Sequence, residues 1–222
     1  MMDQERIADY INSLDCGHGE LCDRIADEAR AGFVPIIRPE TAAFLKTVIA
    51  AVKPMEILEV GTAVGYSALL MAQAMPSGAH ITTIEKYEPR AILAGEHFRQ
   101  AGVADQITLL GGDAEELLKT LTGPFDFIFM DAAKGQYLHW LPQLLRLMKS
   151  GSVLFSDNVL QDGTILESRF AVERRNRTIH SRMREYLYQL KHMDGLESSI
   201  IPIGDGVTLS VRNNRNQSEV TR

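Results

Sequence analysis

The sequence predicts a doubly wound α/β fold: a mostly parallel, seven-stranded, Rossmann-like sheet with an antiparallel C-terminal hairpin and helices at the N-terminus. Three observations carry this. Five short apolar runs, Glu56–Val60, His80–Glu85, Gln106–Leu110, Phe125–Met130 and Ser152–Ser156, alternate with helical stretches at about 65–75, 89–101, 114–121 and 136–149. Such a repeat builds a parallel sheet with helices on both faces. The runs are nearly all apolar, as strands covered on both sides must be. Finally, Ser198–Ile203 and Val207–Val211 flank Gly204-Asp205-Gly206, a hairpin signal that brings at least one antiparallel strand.

The segment before residue 55 reads as three helices. Ile7, Tyr10, Ile11 and Leu14 recur at helical spacing until the Asp15–Gly19 stretch breaks the pattern. A second helix runs from about Glu20 to Ala31 and ends at Gly32. Arg38-Pro39-Glu40 opens a third, because proline suits the first helical turn, and Lys53-Pro54 closes it. No repeat or linker divides the chain. The expected organisation is one domain over 1–212, with residues 1–54 capping the site, and a polar tail over 213–222.

With 222 residues, 45% of them hydrophobic, the chain can bury a core without disulfides or structural metals. No apolar run approaches the ~18 residues that span a bilayer. The acidic start lacks the basic and apolar regions of a secretory signal, so a cytoplasmic location is expected. Cys16 and Cys22 read as plain thiols, since with His18 they lack both the spacing and the fourth ligand of a zinc site. A net charge of −6 excludes a globally basic nucleic-acid binder but leaves room for a local patch.

The most informative segment follows the first strand: Glu59-Val60-Gly61-Thr62-Ala63-Val64-Gly65-Tyr66-Ser67. Its glycines allow a tight turn and close approach to a ligand, and the next helix offers free N–H groups. A glycine-rich loop also serves simply to turn a strand into a helix. The loop is neither Gly-x-Gly-x-x-Gly nor a phosphate loop ending in Gly-Lys-Ser/Thr. The second strand ends in Glu85, placed to accept both hydroxyls of a ribose. The third is followed by Asp113, which could accept from an adenine amine. Either acid alone is equally a surface carboxylate. Together the three features point to an adenosine ligand without a pyrophosphate, most simply S-adenosylmethionine (SAM).

Two further strand ends carry Asp131-Ala132-Ala133-Lys134 and Asp157-Asn158. In an open α/β sheet, ligands bind at the carboxyl ends of the strands. Two carboxylates and an amide oxygen there form a hard, all-oxygen partial shell suited to Mg²⁺, with Mn²⁺ or Ca²⁺ as alternatives. The competing reading makes Asp131 and Asp157 helix N-caps.

The chain resembles the catechol and caffeoyl-CoA O-methyltransferase family over roughly residues 35–212. The resemblance lies in Leu58–Ser67, Asp131-Ala132-Ala133-Lys134-Gly135-Gln136-Tyr137, Asp157-Asn158-Val159-Leu160 with Gly163, and Pro202-Ile203-Gly204-Asp205-Gly206. It implies a SAM-dependent O-methyltransferase with Asp131, Asp157 and Asn158 as metal ligands and Lys134 as general base. It implies Glu85 at the ribose, Asp113 and Ala114 at the adenine, and Gly61, Ala63 and Ser67 at the methionine end. Glu59, Tyr66 and Asp131 complete the implied cofactor contacts, and a homodimer is expected. A lysine beside a dication gives up its proton more readily than one in water, which suits the base role.

Within that family the chain is similar to the bacterial tRNA 5-hydroxyuridine methyltransferases, through Ile128–Tyr137, Arg174-Arg175-Asn176-Arg177-Thr178-Ile179 and Ser199–Gly206. That likeness implies a tRNA anticodon loop as partner, methylated at the wobble position to 5-methoxyuridine. In 5-hydroxyuracil the C5 hydroxyl sits beside the C4 carbonyl and can chelate a metal as a catechol does. Between Arg169 and Lys191 there are seven Arg or Lys residues against Glu173 and Glu185. Arg174, Arg175 and Arg177 are the expected RNA contacts. The same charges also read as a solvated helix face. A small catechol-like or caffeoyl-CoA-like acceptor is the alternative substrate, and a non-catalytic adenosine-binding module the alternative function.

Overall fold

The computed structural model describes residues 4–213. Three helices come first: α1 (Gln4–Ser13), α2 (Glu20–Ala31) and α3 (Pro39–Val52). Strands and helices then alternate: β1 (Glu56–Val60), α4 (Tyr66–Ala74), β2 (His80–Glu85), α5 (Glu88–Gln100), β3 (Ile107–Gly111), α6 (Ala114–Thr120), β4 (Phe125–Met130), α7 (Tyr137–Arg146) and β5 (Met148–Ser156). Helix α8 (Arg177–His192) and the hairpin β6 (Leu196–Ile201) and β7 (Val207–Arg212) close the chain. The seven strands lie in the order β3-β2-β1-β4-β5-β7-β6. The first five run parallel, and β7 is antiparallel to both β5 and β6. This is the doubly wound, mostly parallel Rossmann-like sheet with an antiparallel C-terminal hairpin expected from the sequence.

Alternation along each strand distributes the core over both sheet faces. Ile57, Phe127, Phe129 and Phe155 pack with Ile25, Leu45, Ile49 and Leu70 on one face. Leu58, Val60, Ile128, Met130 and Leu154 pack with Leu118, Leu141, Leu144, Met183 and Tyr186 on the other. Each such side chain, fully buried, contributes about 1.5–3 kcal/mol. Helices α2 and α3 therefore belong to a core face. Of residues 4–54, Pro35 alone lines the main cavity. No helix among the described residues is long and apolar enough to cross a membrane.

Several boundaries differ from expectation. The helix expected over 136–149 ends at Arg146, and the fifth strand starts at Met148 instead of Ser152. Leu147 and Met148 continue the apolar pattern of α7, but Met148 pairs with Phe125 of β4, and the ladder decides. Similarly, β6 begins at Leu196 and stops at Ile201, where pairing with β7 begins and ends. Of the expected polar tail, residues 214–222 lie outside the described residues.

Candidate active site

Strand order reverses between β1 and β4, and a doubly wound sheet opens a crevice at such a point. A cavity of about 760 Å³ occupies it, lined by Gly61, Ala63, Glu85, Asp113, Ala114, Asp131, Lys134 and Asn158 among others. Eight residues expected from five different segments of sequence thus meet in one place. The physical cause is simple: parallel strands all end on the same side.

The glycine loop is shaped by its neighbours. Gly61 has φ +105°, and a Cβ there would lie 2.2 Å from the carbonyl oxygen of Asp131. Only glycine lets the end of β1 lie this close to the end of β4. Gly61→Ala should therefore cost about 1–3 kcal/mol of stability and weaken SAM binding. Thermal unfolding and calorimetric titration with SAM check this, and wild-type values in both would refute it. Ala63 also has positive φ, +46°, and its N–H donates to Glu85 Oε2 at 2.8 Å. The other oxygen, Glu85 Oε1, accepts from the Tyr87 N–H at 2.8 Å. A carboxylate fixed from both sides by backbone keeps further lone pairs for the hydroxyls of a ribose.

Asp113 is the N-cap of α6: its Oδ1 accepts from the Glu115 N–H at 2.9 Å, and its Oδ2 pairs with Lys86 Nζ at 2.7 Å. The Lys86 hydrogen bond, with the Glu115 N–H, holds its pKa below the usual value. Ile84, Ala114 and Trp140 add apolar wall to the same cavity. Trp140 Nε1 donates to Glu115 Oε2 at 2.9 Å, which fixes the indole. The sequence reasoning missed Trp140, although the chain's single tryptophan, six residues beyond Lys134, was a usable signal.

Asp131, Asp157 and Asn158 form one cluster. The Asn158 amide nitrogen donates to Asp131 Oδ1 at 3.0 Å and to Asp157 Oδ2 at 3.3 Å. The capping alternative fails for both acids, because the residues preceding the nearby helical turns and α7 are Ala133, Gln136 and Leu160. Asp157 is 2% exposed, and its Oδ1 has no partner among the described residues. Burial raises the pKa of both carboxyls, and mutual repulsion raises that of Asp157 further. The positive charge of Lys134 acts on both in the opposite direction. A buried and a half-buried carboxylate with an orphaned oxygen, bridged by an amide that can present its oxygen instead, fit a divalent cation.

The cluster is locked from behind. Tyr137, fully buried, has its hydroxyl 3.2 Å from the Met130 carbonyl and 3.1 Å from that of Asp157, and accepts from the Ala132 N–H at 3.3 Å. One phenol thereby ties the end of β4 to the end of β5. Asn158 sits at φ +62°, a left-handed conformation that asparagine tolerates better than most residues.

Glu59, Tyr66 and Ser67 are placed differently: none lines the cavity. Glu59 is 0% exposed, on the core face shared with Ile57. Its carboxylate accepts from Ser67 Oγ and Thr83 Oγ1, both at 2.5 Å, and burial pushes its pKa up to about 7. Tyr66, 4% exposed, stands edge-on to the His18 ring. The cationic segment also differs from a simple solvated face. Arg177 donates to the carbonyls of Val172 and Phe170, Arg182 to that of Gly135 and Lys191 to that of Ser198. Arg175 pairs with Glu173 at 2.7 Å. These cations partly serve the fold, while Arg174 and Arg175 remain exposed.

A cavity of this size at the switch point, lined by Glu85 and by the acidic cluster, is where a doubly wound sheet takes a ligand. The chain belongs to the O-methyltransferase family, whose profile matches residues 25–213. It is 36% identical over 145 residues to a catechol O-methyltransferase of Niastella koreensis, covering 63% of this chain and 65% of that one. It is 33% identical over 175 residues to a caffeoyl-CoA O-methyltransferase of Populus kitakamiensis, covering 76% and 74%. Among solved structures, the O-methyltransferase TomG of Streptomyces achromogenes, involved in tomaymycin synthesis and in complex with SAM, superposes with TM-score 0.83 at 27% identity. That superposition covers 96% of this chain and all of the other.

Proposed function

We propose that the protein transfers a methyl group from SAM to a hydroxyl whose neighbouring carbon carries a second oxygen, as in a catechol, with a divalent cation held by Asp131, Asp157 and Asn158. The observation that carries this reading is the acidic pair at the cavity that holds Glu85 and Lys134, with Asp157 Oδ1 buried and unpartnered among the described residues. Glu85 would hold the ribose; Asp113, Ala114 and Trp140 would hold the adenine. Gly61 and Ala63 would let the methionine end approach the backbone, and Glu59 would act indirectly by fixing Ser67 and the start of α4. The cation would supply charge stabilisation to the acceptor oxygen as it ionises. Lys134 would take the hydroxyl proton, leaving the oxygen to attack the sulfonium methyl in line while sulfur leaves. Orientation by the rigid strand ends supplies much of the remaining acceleration. The catechol and caffeoyl-CoA relatives favour small acceptors of this type.

A second reading places the same chelating pair of oxygens on a nucleobase: 5-hydroxyuridine at the tRNA wobble position. One observation favours it. Arg182 of α8 donates at 3.0 Å to the carbonyl of Gly135, the residue after Lys134, so the arginine-rich helix packs on the loop that carries the base. A tRNA acceptor would place the enzyme in the cytoplasm.

The test offers purified protein, labelled SAM and Mg²⁺ to catechol, caffeoyl-CoA and tRNA containing 5-hydroxyuridine, with and without EDTA. Transfer to an oxygen that stops on chelation is expected, and metal-independent transfer would exclude the proposed site. For the second reading, tRNA nucleosides from cells lacking the gene should lose 5-methoxyuridine and accumulate 5-hydroxyuridine. Replacement of Arg174, Arg175 and Arg177 by Ala should weaken tRNA methylation with SAM binding intact, and unchanged tRNA turnover would count against it. Light scattering tests the expected homodimer.

A further inference from the structure

A second concavity, of about 460 Å³, lies on the outer side of α8 and is lined by Arg169, His180, Ser181, Arg184, Glu185 and Tyr188. Positions 180, 184 and 188 fall at four-residue spacing, so they form one stripe of the helix. Met183, Tyr186 and Leu190 form the core-facing side of the same helix. Arg182, which reaches the loop of Lys134, projects from yet another side. The concavity is therefore separate from the main cavity, and α8 touches the latter's surroundings through Arg182 on the loop of Lys134.

His180 is the unusual member. It is 1% exposed, yet neither ring nitrogen has a hydrogen-bond partner among the described residues. An imidazole in any protonation state carries at least one N–H donor. A buried donor left unbonded is costly, and an apolar residue of similar size would pack there without that cost. The arrangement makes sense if a ligand supplies the missing acceptor. Around it stand two exposed guanidiniums. Arg184 Nη1 lies 3.4 and 3.5 Å from the carbonyls of Ile165 and Glu167, contacts at the limit of hydrogen bonding that leave its donors available. The Ser181 hydroxyl adds a donor. Glu185, whose Oε1 accepts from Gln189 at 3.1 Å, is the one carboxylate of the lining, against two arginines. Tyr188, 60% exposed and stacked on His192 with ring centroids 3.9 Å apart, offers a flat face at the edge.

We propose that this cleft binds a phosphate group carried by the methyl acceptor, with Arg169 and Arg184 forking its oxygens and His180 donating from the wall. Two acceptors could bring that phosphate: the backbone of an RNA loop or the coenzyme A part of a thioester. The inference rests on the proposed function only in taking the phosphate to belong to the acceptor, and its test needs no turnover.

Binding of a fluorescein-labelled anticodon stem–loop RNA is measured by anisotropy across a salt series, and binding of coenzyme A by calorimetry, for wild type, Arg169→Ala and His180→Leu. His180→Leu should unfold no earlier than wild type, because no protein partner is lost. Either variant should bind one of the two probes about 10-fold or more weakly, with unchanged SAM affinity. A loss confined to RNA, with a salt slope shallower by about 1 for Arg169→Ala, identifies a polynucleotide phosphate. A loss confined to coenzyme A identifies the thioester carrier. Wild-type affinity of both variants for both probes, or no binding of either probe by the wild type, overturns the proposal. Should His180→Leu fail to fold, Arg169→Ala, a change at an exposed position, decides alone. Methylation assays run separately, so failure of the enzymatic reading would be seen independently.

Discussion

Replacing Lys134 with Ala is expected to lower kcat by about 10²–10⁴-fold while leaving the affinity for SAM within a few-fold of wild type. Lys134 lines the same cavity as Asp131 and Asn158, on a short helical turn that begins just beyond β4. Its positive charge acts on both carboxyls of the acidic pair. A group in that position can take a proton from an acceptor hydroxyl drawn to the cluster, whereas Glu85 and Asp113 line the cavity from the ends of β2 and β3. Lys134→Arg should be nearly as inactive, because a guanidinium stays protonated and cannot act as the base. Steady-state kinetics with a catechol acceptor, paired with calorimetry of SAM binding, separate chemistry from binding. A kcat within threefold of wild type for Lys134→Ala would remove lysine from the proton transfer.

Asp157→Ala should reduce turnover by about 100-fold or more and abolish the response of stability to divalent cations. The argument runs through pH. Burial raises the carboxyl pKa values of Asp131 and Asp157 in the metal-free protein, and the Asp131 charge raises that of Asp157 further. A carboxyl with a raised folded-state pKa keeps a proton that the unfolded chain releases near pH 4. Stability then falls as pH rises from that value toward the folded-state pKa. Glu59, pushed to about 7 by burial, adds a contribution of the same sign that no cation relieves. The Tm of EDTA-treated wild type should therefore drop between pH 5 and pH 8. Added Mg²⁺ or Mn²⁺ should raise Tm more at pH 8 than at pH 5, because the cation replaces the protons the pair would otherwise hold. Asp157→Ala should flatten the cation-dependent part and keep the Glu59 part. A wild-type Tm indifferent to divalent cations at pH 8 would refute the metal site.

Much of the site was legible because its residues sit at strand ends, where position along the chain translates directly into position in space. Gly61, Glu85, Asp113, Asp131 and Asn158 each lie at or just beyond the last residue of a strand, so a parallel sheet brings them together. Strand parity carried a further signal: Glu59 shares a face with Ile57, two residues away, and that face is core. A reading that follows motif membership alone places Glu59 at the cofactor, whereas parity places it behind the wall. Trp140 was harder to find. It comes from the start of α7, whose rotation against the sheet depends on packing with α6 and α8.

The cationic segment shows the opposite limit. Its charge could be counted from the sequence, but the uses of that charge could not. Arg177 and Arg182 cap carbonyls five and 47 residues away along the chain, and His180 is buried with no partner among the described residues. Such assignments depend on how a loop lies on a helix, and no periodicity encodes that.

Taken alone, the amino-acid order determined the alternation of strands and helices and the residue types delivered to the strand ends. These follow from local periodicity and from the common direction of parallel strands. Only the folded chain decided that Asp131 and Asp157 share one amide, that Tyr137 ties β4 to β5, and that Glu59 accepts from Ser67 and Thr83 within the core. Each of those depends on side chains from distant segments meeting within about 3 Å. Close packing sets distances of that order; sequence spacing does not.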